Sequence, residues 1–200
     1  MNNIKIDCVL DAKANLGEGA IWSVKDQILY WVDINRGLLC KYNPENGKNI
    51  AIDFKKPLGC FALKSNLNVI LALTDGFFEF DQNQKTKTLI DSTESNILEN
   101  RFNDGTVDIK GRFYAGTMAI NGSNIGENAK GSLYCLEPSG KVNKIMDGFH
   151  TINGLAFSPD YKTAYVSDSA YWIQTFWAYD YDLDNGIWSN KRTFFDTKNV

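Results

Sequence analysis

The sequence predicts an all-β fold of the β-propeller type, and three observations lead to it. Four segments repeat along the chain, beginning at Gly19, Gly59, Gly105 and Gly154, at intervals of 40, 46 and 49 residues. Each segment holds three or four short β-rich runs separated by Gly, Asn, Asp or Pro turns. No segment has a 3.6-residue apolar period long enough for a core helix. Periods of about 40–50 residues with four strands each are typical of propeller blades.

Each segment supplies its own predicted strands. The first has β-rich runs at 19–22, 29–33 and 38–42, and a turn at Asn46-Gly47. The second has runs at 59–63, 69–73 and 76–80. The third has runs at 105–108, 112–116 and, after a longer insertion, 132–136. The fourth has runs at 154–157, 164–168 and 176–179, and a turn at Asn185-Gly186. A β-sandwich whose spacing is coincidental is the alternative fold.

The number of blades bears on how the domain is completed. Propellers close with about 4–8 blades, so a closed ring of four is one possibility. An arc cut from a larger ring would instead expose an apolar sheet face at each end. The last strand-like run, 191–195, comes shortly before Val200, and the sequence offers no closing strand to share with the first blade. We therefore expect residues 1–200 to form a single, incomplete propeller domain of a longer protein.

Composition predicts an ordered globular protein and argues against two classes of partner. The chain is 44% hydrophobic and carries a formal net charge of −3, without the basic stripe that nucleic-acid binding requires. Neither a signal-peptide h-region nor eighteen consecutive apolar residues occur, so we expect no membrane partner and a cytoplasmic location. The cysteines, Cys8, Cys40, Cys60 and Cys135, are far apart, which favours buried thiols over one or two disulfides.

Polar residues stand at three of the four blade entrances. Glu18 precedes Gly19, Asn103-Asp104 precede Gly105, and Asn153 precedes Gly154, whereas Leu58 precedes Gly59. The innermost strand of every blade lines the central channel, so these residues are expected to converge at one mouth. A carboxylate and amide oxygens aimed at one point suit a hard cation such as Ca²⁺, Mg²⁺ or Mn²⁺. The alternative is that the Asn and Asp residues serve turns and that Glu18 is a solvated rim residue.

Three motifs carry a resemblance to a known family. They are LGEGAIW at 16–22, NRFNDGTVDIKGRFYAGTM at 100–118, and NGLAFSPD at 153–160 followed by YVSDS at 165–169. They resemble the signatures of the SMP-30/regucalcin/gluconolactonase/luciferin-regenerating family, and the long middle motif is the most specific. The resemblance implies a six-bladed propeller with one divalent ion (Ca²⁺, Zn²⁺, Mg²⁺ or Mn²⁺) at the channel mouth. It also implies that the complete protein is a lactonase acting on small sugar lactones.

The resemblance assigns roles residue by residue. It implies that Glu18 and Asn153 are metal ligands and that Arg101 and Asn103 hold oxygen atoms of the substrate. Asn121 stands where some members have a substrate-binding glutamate. The aspartate that serves the family as a further ligand and general base is expected beyond Val200, so no catalytic residue is assigned within the chain. Metal binding by these 200 residues alone is therefore expected to be weak.

Other interpretations of the same residues remain open. Asp104 is a candidate base, although an Asx-turn at the blade entrance is the simpler explanation. His150, the only histidine, is interpreted as a loop residue, which argues against a Ser-His-Asp triad. A non-enzymatic calcium-binding propeller, a WD40- or NHL-like protein-interaction scaffold and an organophosphate hydrolase are alternative functions. The polar cluster predicted in the channel argues against the scaffold.

Overall fold

The structure, a computed structural model, describes residues 4–120 and 131–198, which form four antiparallel sheets of four strands and no α-helix. Sheet 1 contains β1 (Gly17–Ser23), β2 (Ile28–Asp33), β3 (Leu38–Asn43) and β4 (Lys48–Asp53). Sheet 2 contains β5 (Leu58–Leu63), β6 (Val69–Leu73), β7 (Gly76–Asp81) and β8 (Thr86–Asp91). Sheet 3 contains β9 (Asn100–Val107), β10 (Phe113–Ala119), β11 (Gly131–Leu136) and β12 (Val142–Phe149). Sheet 4 contains β13 (Ile152–Phe157), β14 (Thr163–Asp168), β15 (Thr175–Asp182) and β16 (Ile187–Asp196).

The predicted all-β class is confirmed. In every sheet the strands pair in sequence order, and each leading glycine lies in the first strand of its sheet. Within the described ranges, no helix could cross a membrane. The middle strands are the most buried, whereas the last strands, such as β4 and β16, are mostly exposed. These sheets therefore have an exposed outer edge and a buried centre.

Apolar side chains pack between successive sheets in three clusters. Tyr30, Val32, Leu39, Leu58 and Leu71 belong to the cluster between sheets 1 and 2. Phe77, Phe102, Phe113 and Tyr134 belong to the cluster between sheets 2 and 3. Tyr114, Leu133, Ile152, Val166 and Tyr179 belong to the cluster between sheets 3 and 4. Each large side chain removed from water contributes about 1.5–3 kcal/mol, so these clusters stabilise the stacking of the sheets.

The first strands approach each other closely on one side of the stack. A Cβ atom added to Gly59 on β5 would lie 2.2 Å from the carbonyl group of Phe102 on β9. A Cβ atom added to Gly116 on β10 would lie 2.1 Å from Cγ2 of Ile152 on β13. Glycine is required at both positions because no side chain fits in that space. The approach brings the beginnings of β5, β9 and β13 together.

The two outer faces of the stack remain partly apolar. Trp22 on sheet 1 is 44% exposed, and Phe194 on sheet 4, which packs edge-on against Tyr165, is 63% exposed.

The described cysteines form no disulfide; Cys40, Cys60 and Cys135 are buried, whereas Cys8 is exposed. Three of the four thiols therefore match the prediction of small buried side chains.

Candidate functional site

A β-bulge interrupts the first strand of every sheet near its beginning. The pairing shifts between Glu18 and Ile21, between Leu58 and Cys60, between Phe102 and Asp104, and between Asn153 and Ala156. In sheets 1 and 4 the bulge contains a glycine in the left-handed region, Gly19 at φ 58° and Gly154 at φ 60°. Bulges redirect neighbouring side chains and are common beside active sites. The bulges of sheets 1, 3 and 4 lie beside the polar entrance residues, and the bulge of sheet 2 lies beside Leu58.

Glu18 lies on β1 opposite Val32, directly before the bulge, and its side chain is exposed. Its carboxylate interacts electrostatically with Arg101 of sheet 3. On its other side it borders a groove of about 570 Å³ between residues 9–14 and the outer face of sheet 1. Because that groove is lined mainly by apolar side chains such as Leu29 and Trp31, it does not suit a polar ligand.

Arg101 and Asn103 stand side by side on β9. Arg101 is buried, and its Nη1 donates to the carbonyl oxygen of Phe102 at 3.0 Å and to Oδ1 of Asn103 at 2.7 Å. Asn103 Nδ2 donates in turn to the carbonyl oxygen of Ile152 on sheet 4, at 2.9 Å. Burial lowers the pKa of Arg101, while the Cys60 thiol and the Glu18 carboxylate oppose that shift. The guanidinium is therefore a partly desolvated cation held beside the mouth of the sheets.

Asn153 follows Ile152, whose carbonyl oxygen accepts the hydrogen bond from Asn103. Its Oδ1 accepts from the backbone N–H of Gly154 at 3.1 Å, and its Nδ2 contacts Oγ of Ser169 at 3.4 Å. Hydrogen bonds therefore run from Arg101 through Asn103 to the strand that carries Asn153, joining sheets 3 and 4. The Glu18 carboxylate of sheet 1 is close enough to Arg101 to interact with it electrostatically. These four predicted residues share one end of the stack. Asn121 lies outside the described residues.

Asp104 connects sheets 3 and 4. Its Oδ1 accepts from the N–H of Gly105 at 2.8 Å, and its Oδ2 accepts from the N–H of Leu155 at 3.2 Å. An Asx-turn would instead use the N–H two residues further along, so the bonding differs from the predicted turn while the role stays structural. Burial raises the pKa of Asp104, against the effect of these backbone hydrogen bonds. Since both oxygens already accept hydrogen bonds, the carboxylate is better suited to joining the sheets than to acting as a general base.

Three buried carboxylates near the entrances were not singled out from the sequence. Asp33 and Asp168 end the second strands of sheets 1 and 4, and Glu94 precedes sheet 3. Glu94 accepts hydrogen bonds from Asn100 Nδ2, Thr117 Oγ1 and Tyr134 OH, at 3.1, 3.1 and 3.0 Å. The only signal in the sequence was an aspartate at the end of the second run in segments 1 and 4.

His150 lies between β12 and β13, as the sequence predicted for a loop residue. Its backbone N–H donates to Oδ2 of Asp168, and its ring packs edge-on against Trp172 at 5.1 Å between centroids. Among residues 4–120 and 131–198, no three His, Cys, Asp or Glu side chains group together as a metal site. The predicted ligand set differs from such a group because it combines one carboxylate with amide oxygens.

The sequence is similar to those of curated regucalcins. The chain is 35% identical to regucalcin of Xenopus laevis over 196 residues, which is 98% of this chain and 65% of that protein. It is 32% identical to human regucalcin over 197 residues, again 98% of this chain and 65% of that protein. The chain therefore spans slightly less than two thirds of the length of the curated relatives it matches.

Solved structures show the same arrangement of sheets. A luciferin-regenerating enzyme superposes with a TM-score of 0.84 at 29% identity, covering 92% of this chain and 61% of that one. A calcium-binding protein, regucalcin, from Agrobacterium tumefaciens superposes with a TM-score of 0.85 at 26% identity, covering 94% and 61%. Residues 16–200 match the SMP-30/gluconolactonase/LRE-like region. The chain therefore belongs to the SMP-30/gluconolactonase/LRE-like family.

Proposed function

We propose that the full-length protein is a metal-dependent hydrolase of small sugar lactones, built on a six-bladed propeller that includes the four sheets. One observation carries the proposal: Glu18, Arg101, Asn103 and Asn153 lie at one end of the stack, where hydrogen bonds join Arg101 and Asn103 to the strand of Asn153 and Glu18 interacts electrostatically with Arg101. Family membership supports the reaction class, since the family includes gluconolactonase-like enzymes. The proposed partner is a soluble small molecule, and the proposed location is the cytoplasm.

The proposed metal ligands are Glu18 and Asn153. Both offer oxygen atoms, and oxygen ligands favour Ca²⁺, Mg²⁺ or Mn²⁺ over softer ions, with Zn²⁺ as a further possibility. The backbone fits this role because each ligand stands directly before a left-handed glycine in a bulge. When bound, the ion would polarise the lactone carbonyl and lower the pKa of a water molecule. The two residues fit such an ion but do not complete its coordination, so further ligands are required from the rest of the protein.

Arg101 and Asn103 would bind and orient the substrate. The Arg101 guanidinium is fixed by its bonds to Phe102 and Asn103, so it can donate to a sugar or carbonyl oxygen without first being ordered. As a partly desolvated cation it would also stabilise negative charge on the carbonyl oxygen during attack by water. Because Asn103 donates to the carbonyl oxygen of Ile152, a substrate bound to β9 would lie next to Asn153.

A non-enzymatic calcium-binding protein is the second candidate. The A. tumefaciens relative is described as a calcium-binding protein, and both oxygens of Asp104 already accept backbone hydrogen bonds. This candidate predicts a calorimetric Ca²⁺ isotherm without turnover of any lactone. The hydrolase predicts both.

The test is lactone hydrolysis by the full-length protein. Rates with glucono-, galactono- and xylono-lactone are measured with and without EDTA, and after Ca²⁺, Mn²⁺ or Zn²⁺ is restored. We expect activity to be lost with EDTA and to fall at least 100-fold in Glu18→Gln, which removes the charge of a ligand but keeps its size. Activity that survives the chelator, or full activity in Glu18→Gln, would contradict the metal role.

Glu45→Gln is the matched control. Glu45 is an exposed glutamate of the β3–β4 turn in the same sheet. Because β1 and β3 run in the same direction, this turn lies at the end of the sheet opposite Glu18. The same change of charge should leave the rate and its dependence on metal unchanged.

A further inference from the structure

Sheets 1 and 4 share a hydrogen-bonding arrangement behind the site. In sheet 1, the carboxylate of Asp33 accepts from the backbone N–H groups of residues 15 and 16, at 2.8 and 3.1 Å. In sheet 4, the carboxylate of Asp168 accepts from the N–H groups of residues 150 and 151, at 2.7 and 3.0 Å. In both cases Oδ2 takes the earlier N–H group and Oδ1 the later one. Both aspartates are only 1% exposed.

The position of this carboxylate relative to the proposed ligand is the same in both sheets. The two donors are the residues three and two positions before Glu18 in sheet 1, and before Asn153 in sheet 4. Asp33 pairs with Gly17 and Asp168 pairs with Ile152, the residue directly before each ligand. The left-handed glycine follows directly after the ligand in both sheets.

The buried aspartate that accepts two backbone N–H groups occurs in the two sheets whose entrances carry a proposed metal ligand. In sheet 2, whose entrance carries Leu58 and no polar side chain, Leu58 pairs with Leu73, so the position that corresponds to Asp33 and Asp168 is the next residue, Thr74, which has no carboxylate. In sheet 3 the carboxylate is that of Glu94, 7% exposed, and it accepts from a side chain instead of the backbone: the donor is Nδ2 of Asn100, the residue before Arg101. If the carboxylate served only the stability of the sheet, a carboxylate would be expected at the same position in sheet 2.

We propose that Asp33 and Asp168 are positioning residues that fix Glu18 and Asn153 for metal binding, an inference that rests on the proposed function. Each carboxylate accepts two successive N–H groups, so it sets the orientation of two peptide planes just before the ligand. The bulge glycine sets the backbone just after it. The ligand therefore stands between two fixed points, and little ordering remains to be done when an ion binds.

The test uses the isosteric variants Asp33→Asn and Asp168→Asn in the full-length protein. Each replaces one acceptor oxygen by an NH₂ group that faces a backbone N–H, without opening a cavity. Removing such supporting partners of metal ligands typically costs 10–100-fold in metal affinity. We expect the Kd for Ca²⁺, measured by titration calorimetry, to rise at least 10-fold in each variant, with proportionate loss of lactonase activity at limiting Ca²⁺.

Asp108→Asn is the matched control. Asp108 is also a buried aspartate that accepts a backbone N–H, that of Arg112 at 2.8 Å. It follows the far end of β9, seven residues and about 23 Å from Arg101 at the usual strand rise. This variant should lose stability yet keep the wild-type Kd for Ca²⁺ at temperatures where all variants are folded.

A second measurement separates failure of this inference from failure of the proposed function. Hydrogen–deuterium exchange should accelerate at residues 14–18 in Asp33→Asn and at residues 149–153 in Asp168→Asn, each without effect on the other segment. Local acceleration with an unchanged Kd in a wild-type protein that binds Ca²⁺ would overturn the inference. So would unchanged exchange, or an equal loss of affinity in Asp108→Asn. If the wild-type protein binds Mg²⁺, Mn²⁺ or Zn²⁺ instead of Ca²⁺, the Kd comparison is made with that ion. A wild-type protein that binds none of the four ions would overturn the proposed function, and exchange would then decide whether the carboxylates order these segments.

Discussion

Removing the Asp108 carboxylate should destabilise the protein by several kcal/mol. Asp108 Oδ2 accepts from Nη1 of Arg112 at 2.8 Å and from the hydroxyl of Tyr181 at 2.6 Å. Arg112 also donates to the carbonyl oxygens of Leu183 and Asp184, at 2.9 and 2.8 Å, so the pair joins sheet 3 to sheet 4. Burial opposes the charge of Arg112, but its bonds to Asp108 and Tyr181 prevail and raise its pKa. The guanidinium stays charged even when Asp108 is removed, because the ordinary pKa of arginine lies far above neutral pH.

The magnitude follows from the burial of both partners. The Asp108 side chain is 0% exposed and that of Arg112 is 9% exposed. Breaking a buried pair by removing one partner costs about 3–5 kcal/mol. Because Glu137 Oε2 lies 3.3 Å from Nε of Arg112 and still compensates part of its charge, we expect the lower end of that range. For a chain of this size that corresponds to a fall in Tm of roughly 10 °C. We expect this cost in Asp108→Ala, measured as a lower urea midpoint with an unchanged m-value.

Lys110→Ala supplies the comparison. Lys110 Nζ lies 2.5 Å from Oδ1 of Asp184, so this pair bridges the same two segments, but its side chains are 43% and 85% exposed. Exposed pairs contribute less than about 1 kcal/mol. The reasoning would be refuted by a cost below about 1 kcal/mol for Asp108→Ala, or by equal costs for the two variants, since burial would then not determine the strength of the bridge.

Two further changes test the packing of the first strands. In Gly59→Ala, the new methyl group would lie 2.2 Å from the carbonyl group of Phe102, so we expect the free energy of unfolding, measured with urea, to fall by about 1–3 kcal/mol. We also expect a higher KM for the lactone, because the Phe102 peptide lies between Arg101 and Asn103. Wild-type stability in this variant would show that β5 and β9 are not in close contact. Burial raises the pKa of Asp104 in the folded state, so its contribution to stability is present below the unfolded pKa of about 3.9 and is lost as pH rises through the folded value. Asp104→Asn cannot ionise, so the stability difference between variant and wild type should shift in favour of the variant from about pH 3 to about pH 7; a pH-independent difference would contradict the burial argument.

The sequence predicted the repeated sheets because their inner strands have a strong pattern. The apolar runs that form the second strands, β2, β6, β10 and β14, are mostly buried. The last strands were harder to predict. In β4 and β8, most residues are exposed or only partly buried, so no apolar alternation marks them. Their positions depend on hydrogen bonding to β3 and β7 rather than on their own side chains.

Prediction of the site was limited for a different reason. Glu18 and Asn153 were found because they precede glycines at repeat boundaries, but the bulges beside them depend on pairing with β2 and β14, which no local pattern reveals. The roles of Asp33 and Asp168 depend on backbone N–H groups that lie 17 and 18 residues away in sequence. A shared aspartate in two repeats indicates that a position matters; only the structure identifies its partner.

The longest family motif combines two physical roles at the two ends of β9. Its first part places Arg101 and Asn103 at the mouth, and the turn that follows β9 carries Asp108 and Arg112, which join sheets 3 and 4. Between them Phe102 is buried in the core that joins sheets 2 and 3. The position of the guanidinium at the site is therefore set by packing between sheets as much as by its own hydrogen bonds. It follows that changes in sheet packing beside the mouth, such as Gly59→Ala, should alter substrate binding even though they touch no substrate-binding side chain, whereas changes on the exposed outer strands should not.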